Sequence, residues 1–443
     1  MTKITVENNV YSYLSADKSV MQEVYDALSF QEINHKTKRK YRVSFINKKT
    51  GEFKTGLINT IKKIINQDDI KIIDKTGNEQ KKYQLKDLPG FTYRQDQSFL
   101  IKKMLHRKRG VLVSLMGTGK TLMMNALINS LEDKKILCIC GAKDVHEKNF
   151  KRSKEFFSDD VYLVQSKKDT EWKNYRIVFG SSQIMAGIDP NKFVTHFDVI
   201  LFDEGHHMTE GIEKILDSCN AEYRFAFTGT FPSDKKKQFN LIGLFGDVIN
   251  GEKEKKLVEK KILSKIKVTF YSPEPIFHEL RRYQDIYELC VVNNKQRNEL
   301  IVKNSIERMN QGLSGLIMTT RIEHGNNLRK VFKKHGYDIP FIHGGTPIDE
   351  RKKYEKLIEN KDILCIITNV WREGVDLPSL NYVNLALGEK AEDRLLQIAG
   401  RTSRWHESKD WGEIVDYLDI ESARYLSGHT VQRLRAYSLK GWI

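Results

Sequence analysis

Short apolar runs alternate with stretches of helical periodicity from about residue 110 onward. Each run is almost continuously apolar, which is typical of strands buried on both faces of a parallel sheet. The pattern therefore predicts two consecutive α/β domains with parallel sheets. The runs fall into two series, at residues 111–114, 136–140, 176–180, 199–203 and 224–229, and then at 315–320, 339–344, 363–369, 382–387 and 413–420.

A charged stretch at residues 251–261 separates the two series and predicts a solvated connector or helix. We therefore place the first α/β domain at residues 91–248, a linker at 249–262 and the second α/β domain at 263–443.

The first 90 residues have a different pattern, which predicts a small α+β accessory domain. Apolar residues alternate over 41–45, a turn-rich segment follows, and a second short strand near Phe53 completes the signal of a hairpin. Helical spacing then covers residues 57–65, and residues 70–74 predict a further strand.

The predicted hairpin is strongly basic. Residues 34–54 contain eight basic residues and one acidic residue, Glu52. Such a surface suits a polyanion, although a merely solvated hairpin is the alternative. The residues that we expect to contact nucleic acid here are Lys38, Arg39, Lys40 and Arg42.

The amino-acid composition excludes several classes of protein. The chain has 443 residues with 74 Lys+Arg against 58 Asp+Glu, a net charge of +16, which favours an anionic partner such as nucleic acid. A hydrophobic content of 40% excludes wholesale disorder, and no apolar run is long enough to span a membrane. Five scattered cysteines do not make a disulfide framework. We expect a cytoplasmic protein that has no membrane partner.

A candidate phosphate-binding loop follows the first apolar run and opens a helix. Glycines permit a tight backbone path there, and the helix N-terminus presents N–H groups to an anion. Ser114 stands where the simplest pattern has glycine, so a turn without function is the alternative. The predicted phosphate-binding residues are Gly117, Thr118, Gly119, Lys120 and Thr121, with the Thr121 hydroxyl also on Mg²⁺.

Two acidic residues end the fourth apolar run. Asp203 and Glu204 would lie at the carboxyl edge of the sheet, where an acid can hold Mg²⁺ and a neighbour can activate water. A helix cap or a metal site that uses His206 and His207 is the alternative.

A third element lies in the second domain at residues 397–404. If this segment is helical, Gln397, Arg401 and Arg404 share one face, and arginines suit the charge that develops on a transferred phosphoryl group. A solvated helix face is the alternative.

Together these elements resemble the motifs of superfamily 2 helicases of the DExH type. The small N-terminal domain and compact body look most similar to UvsW-type phage helicases, which remodel branched DNA and are related in their core to the XPB and RecG groups. The resemblance covers about residues 91–420. It implies two RecA-like domains that hold ATP and Mg²⁺ between them.

The resemblance also implies roles for individual residues. Lys120 binds phosphate, Asp203 holds Mg²⁺, Glu204 is the water-activating base, and Gln397, Arg401 and Arg404 complete the site. Further implied nucleotide-binding residues are Arg94 and Gln97, in the adenine-recognising motif, and Gly374 and Asp376. Implied nucleic-acid contacts are Lys143, Ser182, Arg321 and Thr368.

We therefore expect an ATP-dependent DNA helicase or translocase that remodels branched or single-stranded DNA without sequence specificity. It would act as a monomer in the cytoplasm of a bacterium or of a phage-infected host cell. An RNA helicase, a duplex-translocating motor subunit of a restriction or defence complex, and a non-catalytic scaffold are the alternatives.

Overall fold

The computed structural model describes residues 2–34, 37, 39–66, 70–78, 81–141, 143–371, 377–389, 400, 402–407, 409, 411–419 and 424–443, without the side chains of 143–145, 206 and 424. The predicted site residues Lys38, Gly374, Asp376, Gln397 and Arg401 lie outside the described residues, as does the side chain of Lys143.

The chain forms two compact units, which we describe separately. The first comprises Met1–Leu115 and Gly119–Glu252, and the second comprises Lys253–Ile443 with Met116–Thr118. Within the described residues, no helix is long and apolar enough to cross a membrane.

The first unit begins with a small α+β body. Its main sheet has the order β5-β2-β1-β6, and β3 and β4 form a separate antiparallel ribbon. The elements are β1 (Lys3–Val6), β2 (Tyr11–Ser15), α1 (Lys18–Ala27), β3 (Ser29–Ile33), β4 (Lys40–Ser44), β5 (Glu52–Lys54), α2 (Ile58–Ile65) and β6 (Lys71–Asp74).

The pairing of the predicted hairpin differs from expectation. β4 pairs with β3, whereas β5 pairs with β2, and only a single bridge joins Ile46 to Phe53. Ile46 and Phe53 are both buried in the core of the small body, whereas most side chains of β4 are exposed. Burial of Ile46 and Phe53 therefore places the chain after the turn in the main sheet, whereas the exposed β4 pairs only within the outer ribbon.

A seven-stranded parallel sheet forms the rest of the first unit. Its order is β13-β7-β12-β11-β8-β10-β9, and every pairing is parallel. The elements are α3 (Gln95–Arg107), β7 (Arg109–Val113), α4 (Lys120–Ser130), β8 (Ile136–Cys140), α5 (Lys143–Phe157), β9 (Val161–Leu163), β10 (Ile177–Ser181), α6 (Ser182–Met185), β11 (Val199–Asp203), α7 (Glu210–Ser218), β12 (Tyr223–Thr228), α8 (Lys235–Phe245) and β13 (Val248–Asn250).

Both faces of this sheet are covered by apolar cores. Leu112 and Phe225 pack into one core, and their sequence neighbours Val111 and Ala226 pack into the other. Successive strand residues point to opposite faces, so a strand buried on both faces must be apolar throughout. This burial explains the continuous apolar runs in the sequence.

The second unit contains a six-stranded parallel sheet of order β14-β19-β18-β15-β17-β16. The prediction of two α/β domains with parallel sheets is therefore confirmed. The elements are α9 (Glu254–Glu259), β14 (Lys265–Tyr271), α10 (Tyr283–Tyr287), α11 (Lys295–Asn310), β15 (Gly315–Met318), α12 (Ile322–Lys334), β16 (Phe341–Ile342), α13 (Ile348–Glu359), β17 (Cys365–Thr368), β18 (Tyr382–Leu385), β19 (Trp411–Tyr417) and α14 (Arg424–Lys440).

The small α+β body is attached closely to the larger sheet of its unit. Phe239 and Ile242 of α8 pack against the core of the small body. The Lys54 ammonium lies 2.7 Å from a Glu213 carboxylate oxygen and 3.0 Å from one of Asp217. Gly56 approaches α8 so closely that a Cβ there would lie 2.0 Å from the backbone oxygen of Ile242.

The contact of Gly56 generates a stability prediction. We expect Gly56→Ala to lower the free energy of unfolding of the first unit by about 3 kcal/mol, because backbone atoms of α8 must move to admit the methyl group. Gly344→Ala is the control, since nothing lies within 4 Å of its Cβ position. Denaturant unfolding measures both variants, and an equal effect would contradict the close approach.

Candidate active site

The phosphate-binding loop leaves the carboxyl end of β7. Gly117 and Gly119 have φ angles of +83° and +90°, a left-handed conformation that glycine adopts without strain. Gly119 is the N-cap of α4, so the loop delivers the chain directly to a helix N-terminus. The first backbone N–H groups of a helix have no partner within it, which makes this geometry suitable for an anion.

Lys120 turns back over this loop. Its ammonium donates to the carbonyl oxygens of Ser114, at 3.1 Å, and Leu115, at 3.5 Å. The backbone N–H of Ser114 in turn donates to the Thr228 carbonyl at the end of β12. The cation is therefore held above the loop, where phosphate oxygens can replace the carbonyls.

Asp203 and Glu204 end β11 at the same sheet edge. One Asp203 carboxylate oxygen accepts the Glu204 N–H at 3.0 Å. Glu204 has a φ of +52°, an uncommon conformation for a residue other than glycine. Such conformations concentrate at functional sites.

The environment of Asp203 opposes its ionisation. Burial raises the pKa of this carboxyl to about 6, and the neighbouring Glu204 carboxyl adds to the effect. A bound cation would reverse this cost by favouring the ionised form.

The donor set fits Mg²⁺. This ion prefers oxygen ligands and usually takes only one or two carboxylates, with substrate phosphates and water completing its coordination. Thr121 offers a hydroxyl and Asp203 a carboxylate at this edge. The described residues contain no group of three His, Cys, Asp or Glu side chains that could hold a metal ion by themselves. For the alternative metal site at His206 and His207, the side chain of His206 lies outside the described residues.

Asn149 of α5 joins these two groups and was missed from the sequence. Its side-chain N–H donates to Asp203 at 2.8 Å, and its carbonyl oxygen lies 3.3 Å from the Thr121 hydroxyl. The residue is only 6% exposed. A single asparagine in a polar helix carries no sequence signal, because only the fold shows which helix face is buried.

The structure also brings Gln97 to the phosphate-binding loop. Gln97 is buried near the start of α3, where its side-chain oxygen accepts the Arg94 N–H at 3.2 Å. A Cβ at Gly119 would lie 2.5 Å from the Gln97 amide nitrogen. Arg94 itself forms an ion pair with Asp96.

Two of the predicted nucleic-acid contacts have buried side chains. The Ser182 hydroxyl donates to the Gly141 carbonyl at 3.1 Å, which joins the ends of β10 and β8. The Thr368 hydroxyl accepts the N–H groups of Val370 and Trp371. Both hydroxyls organise strand-end loops, and their contact with nucleic acid stays a prediction.

Arg321 and Arg404 lie in the second unit. The Arg321 guanidinium lies 5.0 Å from the centre of the Tyr287 ring and 3.7 Å from a Glu288 carboxylate oxygen. Arg404 is anchored through its backbone, whose carbonyl accepts the Ser264 hydroxyl at 3.2 Å.

The basic residues of the β3–β4 ribbon lie at its surface. Arg39, Lys40 and Arg42 are exposed. Arg42 also pairs with Asp26 at 2.7 Å and lies over the Tyr25 ring. A half-exposed ion pair of this kind contributes little to stability, so Arg42 can exchange its partner for a phosphate.

Comparison with known proteins identifies the family. Residues 90–233 match the family model described as "Type III restriction enzyme, res subunit", and residues 293–406 match the helicase conserved C-terminal domain. Together the two matches span more than half of the chain, in the order expected for a two-domain motor. The chain belongs to the superfamily 2 helicases. The resemblance inferred from the motifs is therefore confirmed.

Individual superfamily 2 helicases are similar over much of the chain. The putative ATP-dependent helicase IRC3 of Saccharomyces cerevisiae is 23% identical over 72% of this chain and 50% of its own. The ATP-dependent DNA helicase UvsW of Enterobacteria phage T4 is 24% identical over 60% and 55% respectively. The chain thus spans about half the length of these curated relatives.

A solved structure supports the fold. A fragment of a putative HsdR subunit of a type I restriction enzyme from Vibrio vulnificus has a TM-score of 0.59 and 16% identity. The alignment covers 90% of this chain and 76% of the fragment.

The raised pKa of Asp203 generates a prediction for the nucleotide-free helicase. Between the usual value of 3.8 and about 6, the folded chain binds more protons than the unfolded chain, so this carboxyl lowers stability as the pH rises. We expect Asp203→Asn to raise the free energy of unfolding by about 3 kcal/mol at pH 8, with a gain that disappears near pH 4. Denaturant unfolding of both proteins between pH 4 and pH 8 measures this difference. If Asp203→Asn were less stable than the unaltered protein at pH 8, burial would not be what destabilises the ionised carboxyl.

Proposed function

We propose that this superfamily 2 helicase uses ATP hydrolysis to translocate on DNA and to remodel branched DNA. The observation that carries the proposal is the convergence of Lys120, Thr121, Asp203 and Glu204 at one sheet edge. These four residues supply a cation for the phosphates, two candidate metal ligands and a candidate base, which are recurring parts of sites for phosphoryl transfer to water.

Each residue has a role that follows from its chemistry. Lys120 binds the β- and γ-phosphates, while the N–H groups of the loop and of α4 hold the rest of the phosphate chain. Thr121 and Asp203 would hold Mg²⁺, which neutralises phosphate charge when it is bound. Glu204 accepts a proton from the attacking water. Gln97 is the candidate for adenine recognition.

Residues of the second domain are proposed to complete the reaction. Arg401 and Arg404 would stabilise the charge that develops on the transferred phosphoryl group, as arginines do in related motors. We assign supporting roles to Gln397, Gly374 and Asp376 on the resemblance of their motifs.

The proposed partner is DNA, which is held mainly through its phosphates. A net charge of +16 supports binding to a polyanion, and the exposed ribbon residues provide a basic surface outside the motor sheet. The similarity to UvsW, whose name describes a DNA helicase, favours DNA over RNA. We propose that the ribbon holds the duplex arm of a fork or junction.

A second candidate function is a duplex-translocating motor of a restriction complex. The family model matched by residues 90–233 is described as a restriction-enzyme subunit, which favours this candidate. Such a motor moves along duplex DNA without separating its strands. A motor of this kind would displace the third strand from a DNA triplex but would not unwind a fork, so these two assays distinguish the two candidate functions.

Replacement of the proposed base tests the catalytic assignment. We expect Glu204→Gln to slow ATP hydrolysis by about 10²–10⁴-fold, because water loses its proton acceptor, while ATP binding remains. Single-turnover hydrolysis and equilibrium binding of ATP measure the two effects. Glu210→Gln is the matched control, since Glu210 is exposed in the first turn of α7. Hydrolysis by Glu204→Gln at the normal rate would show that another group is the base.

Charge removal tests the role of the ribbon. Replacing Lys38, Arg39, Lys40 and Arg42 with glutamine should weaken binding to a DNA fork. It should also reduce the slope of log K against log[salt] by about 0.9 for each phosphate that the ribbon no longer neutralises. The control removes four charges from α12 and α13, at the exposed Lys330, Lys334, Lys352 and Lys353. If both variants lost the same amount of fork binding, the ribbon would contribute only through the net charge of the protein, and its proposed role would be wrong.

A further inference from the structure

We infer that Asn149 is a positioning residue that orients Thr121 and Asp203 for a divalent cation. The inference rests on the proposed function, because it concerns the nucleotide site of the proposed motor. We do not assign Asn149 as a ligand of the cation, because its role is to orient the two side chains that would bind it.

The orientation of the Asn149 amide follows from its partners. Asp203 is acceptor-only when ionised, so the group that lies 2.8 Å from its carboxylate must be the amide N–H₂. The carbonyl oxygen of Asn149 therefore faces Thr121, at 3.3 Å, and only the Thr121 hydroxyl can donate between them. The amide nitrogen also lies 3.6 Å from the Cys140 sulfur. Both ends of the side chain are thus engaged.

This arrangement fits the needs of a cation site. A hydroxyl that binds a cation must turn its lone pairs toward the ion and its hydrogen elsewhere, and Asn149 accepts that hydrogen. Among the residues that the structure describes, the two Asp203 oxygens receive one donor each, from Asn149 and from the Glu204 N–H. These two bonds hold the plane of the carboxylate and use one lone pair of each oxygen. Partners of this kind orient metal ligands in many proteins.

The same two helices offer a matched control. One turn further along both α4 and α5, Asn125 accepts the Ser153 hydroxyl at 2.6 Å, and Asn125 is as deeply buried as Asn149. This pair also joins α4 to α5, but its hydrogen bond involves neither Thr121 nor Asp203. A role limited to helix packing would therefore affect both pairs alike.

The test compares Asn149→Leu with Asn125→Leu, two changes that keep the number and branching of the side-chain heavy atoms. The probe is a fluorescent, non-hydrolysable ATP analogue, titrated with Mg²⁺ against an EDTA baseline. We expect Asn149→Leu to raise the Mg²⁺ concentration for half-maximal binding by about 10–100-fold. Binding in EDTA should not change, and Asn125→Leu should keep the normal Mg²⁺ midpoint. Asn149→Ser, whose shorter side chain cannot reach both partners, provides a second variant if leucine prevents folding.

The outcomes separate the inference from the function on which it rests. A normal Mg²⁺ midpoint in the Asn149 variants, or an equal shift in Asn125→Leu, would overturn the inference and leave the proposed function intact. If the unaltered protein shows no Mg²⁺-dependent binding of the analogue, the proposed function falls and the inference falls with it.

Discussion

The candidate site depends on the parallel, in-register pairing of β7, β12 and β11. Val113 lies opposite Thr228, and Asp203 lies opposite Phe227, so the three strands end at the same level. The loops that follow must therefore meet at one edge, where Lys120, Thr121, Asp203 and Glu204 come together. The apolar side chains of these strands maintain this register, because a shift of one residue would exchange the faces of every side chain.

The same edge concentrates unfavourable interactions. Asp203 is buried beside another carboxyl, and Glu204 has a left-handed backbone. A divalent cation held by Asp203 would offset the first of these costs. Asn149 contributes by fixing the two proposed metal ligands in advance, so less ordering is required when the nucleotide binds. The stability of the surrounding sheet makes this arrangement possible.

Much of this organisation was predictable from the sequence, for physical reasons. Central strands such as β8 and β11 are buried on both faces, so their apolar runs match their observed bounds. The left-handed turn at Gly117 and Gly119 was predictable because glycines with positive φ have few substitutes. In contrast, β14 lies at a sheet edge with half-exposed, partly charged residues, and the pairing of β4 depends on distant core contacts. The role of Asn149 depends on contacts between α4, α5 and β11, which are distant in sequence, so no local sequence pattern predicts it.

The proposed function requires that DNA stimulates the ATPase activity of this chain. The most direct measurement is steady-state ATP hydrolysis with buffer alone, single-stranded DNA, linear duplex, a four-way junction and single-stranded RNA, at one salt concentration. We expect the greatest stimulation with the junction or with single-stranded DNA. Stimulation by RNA alone would keep the site but contradict the DNA assignment, and hydrolysis that no nucleic acid increases would contradict the motor itself.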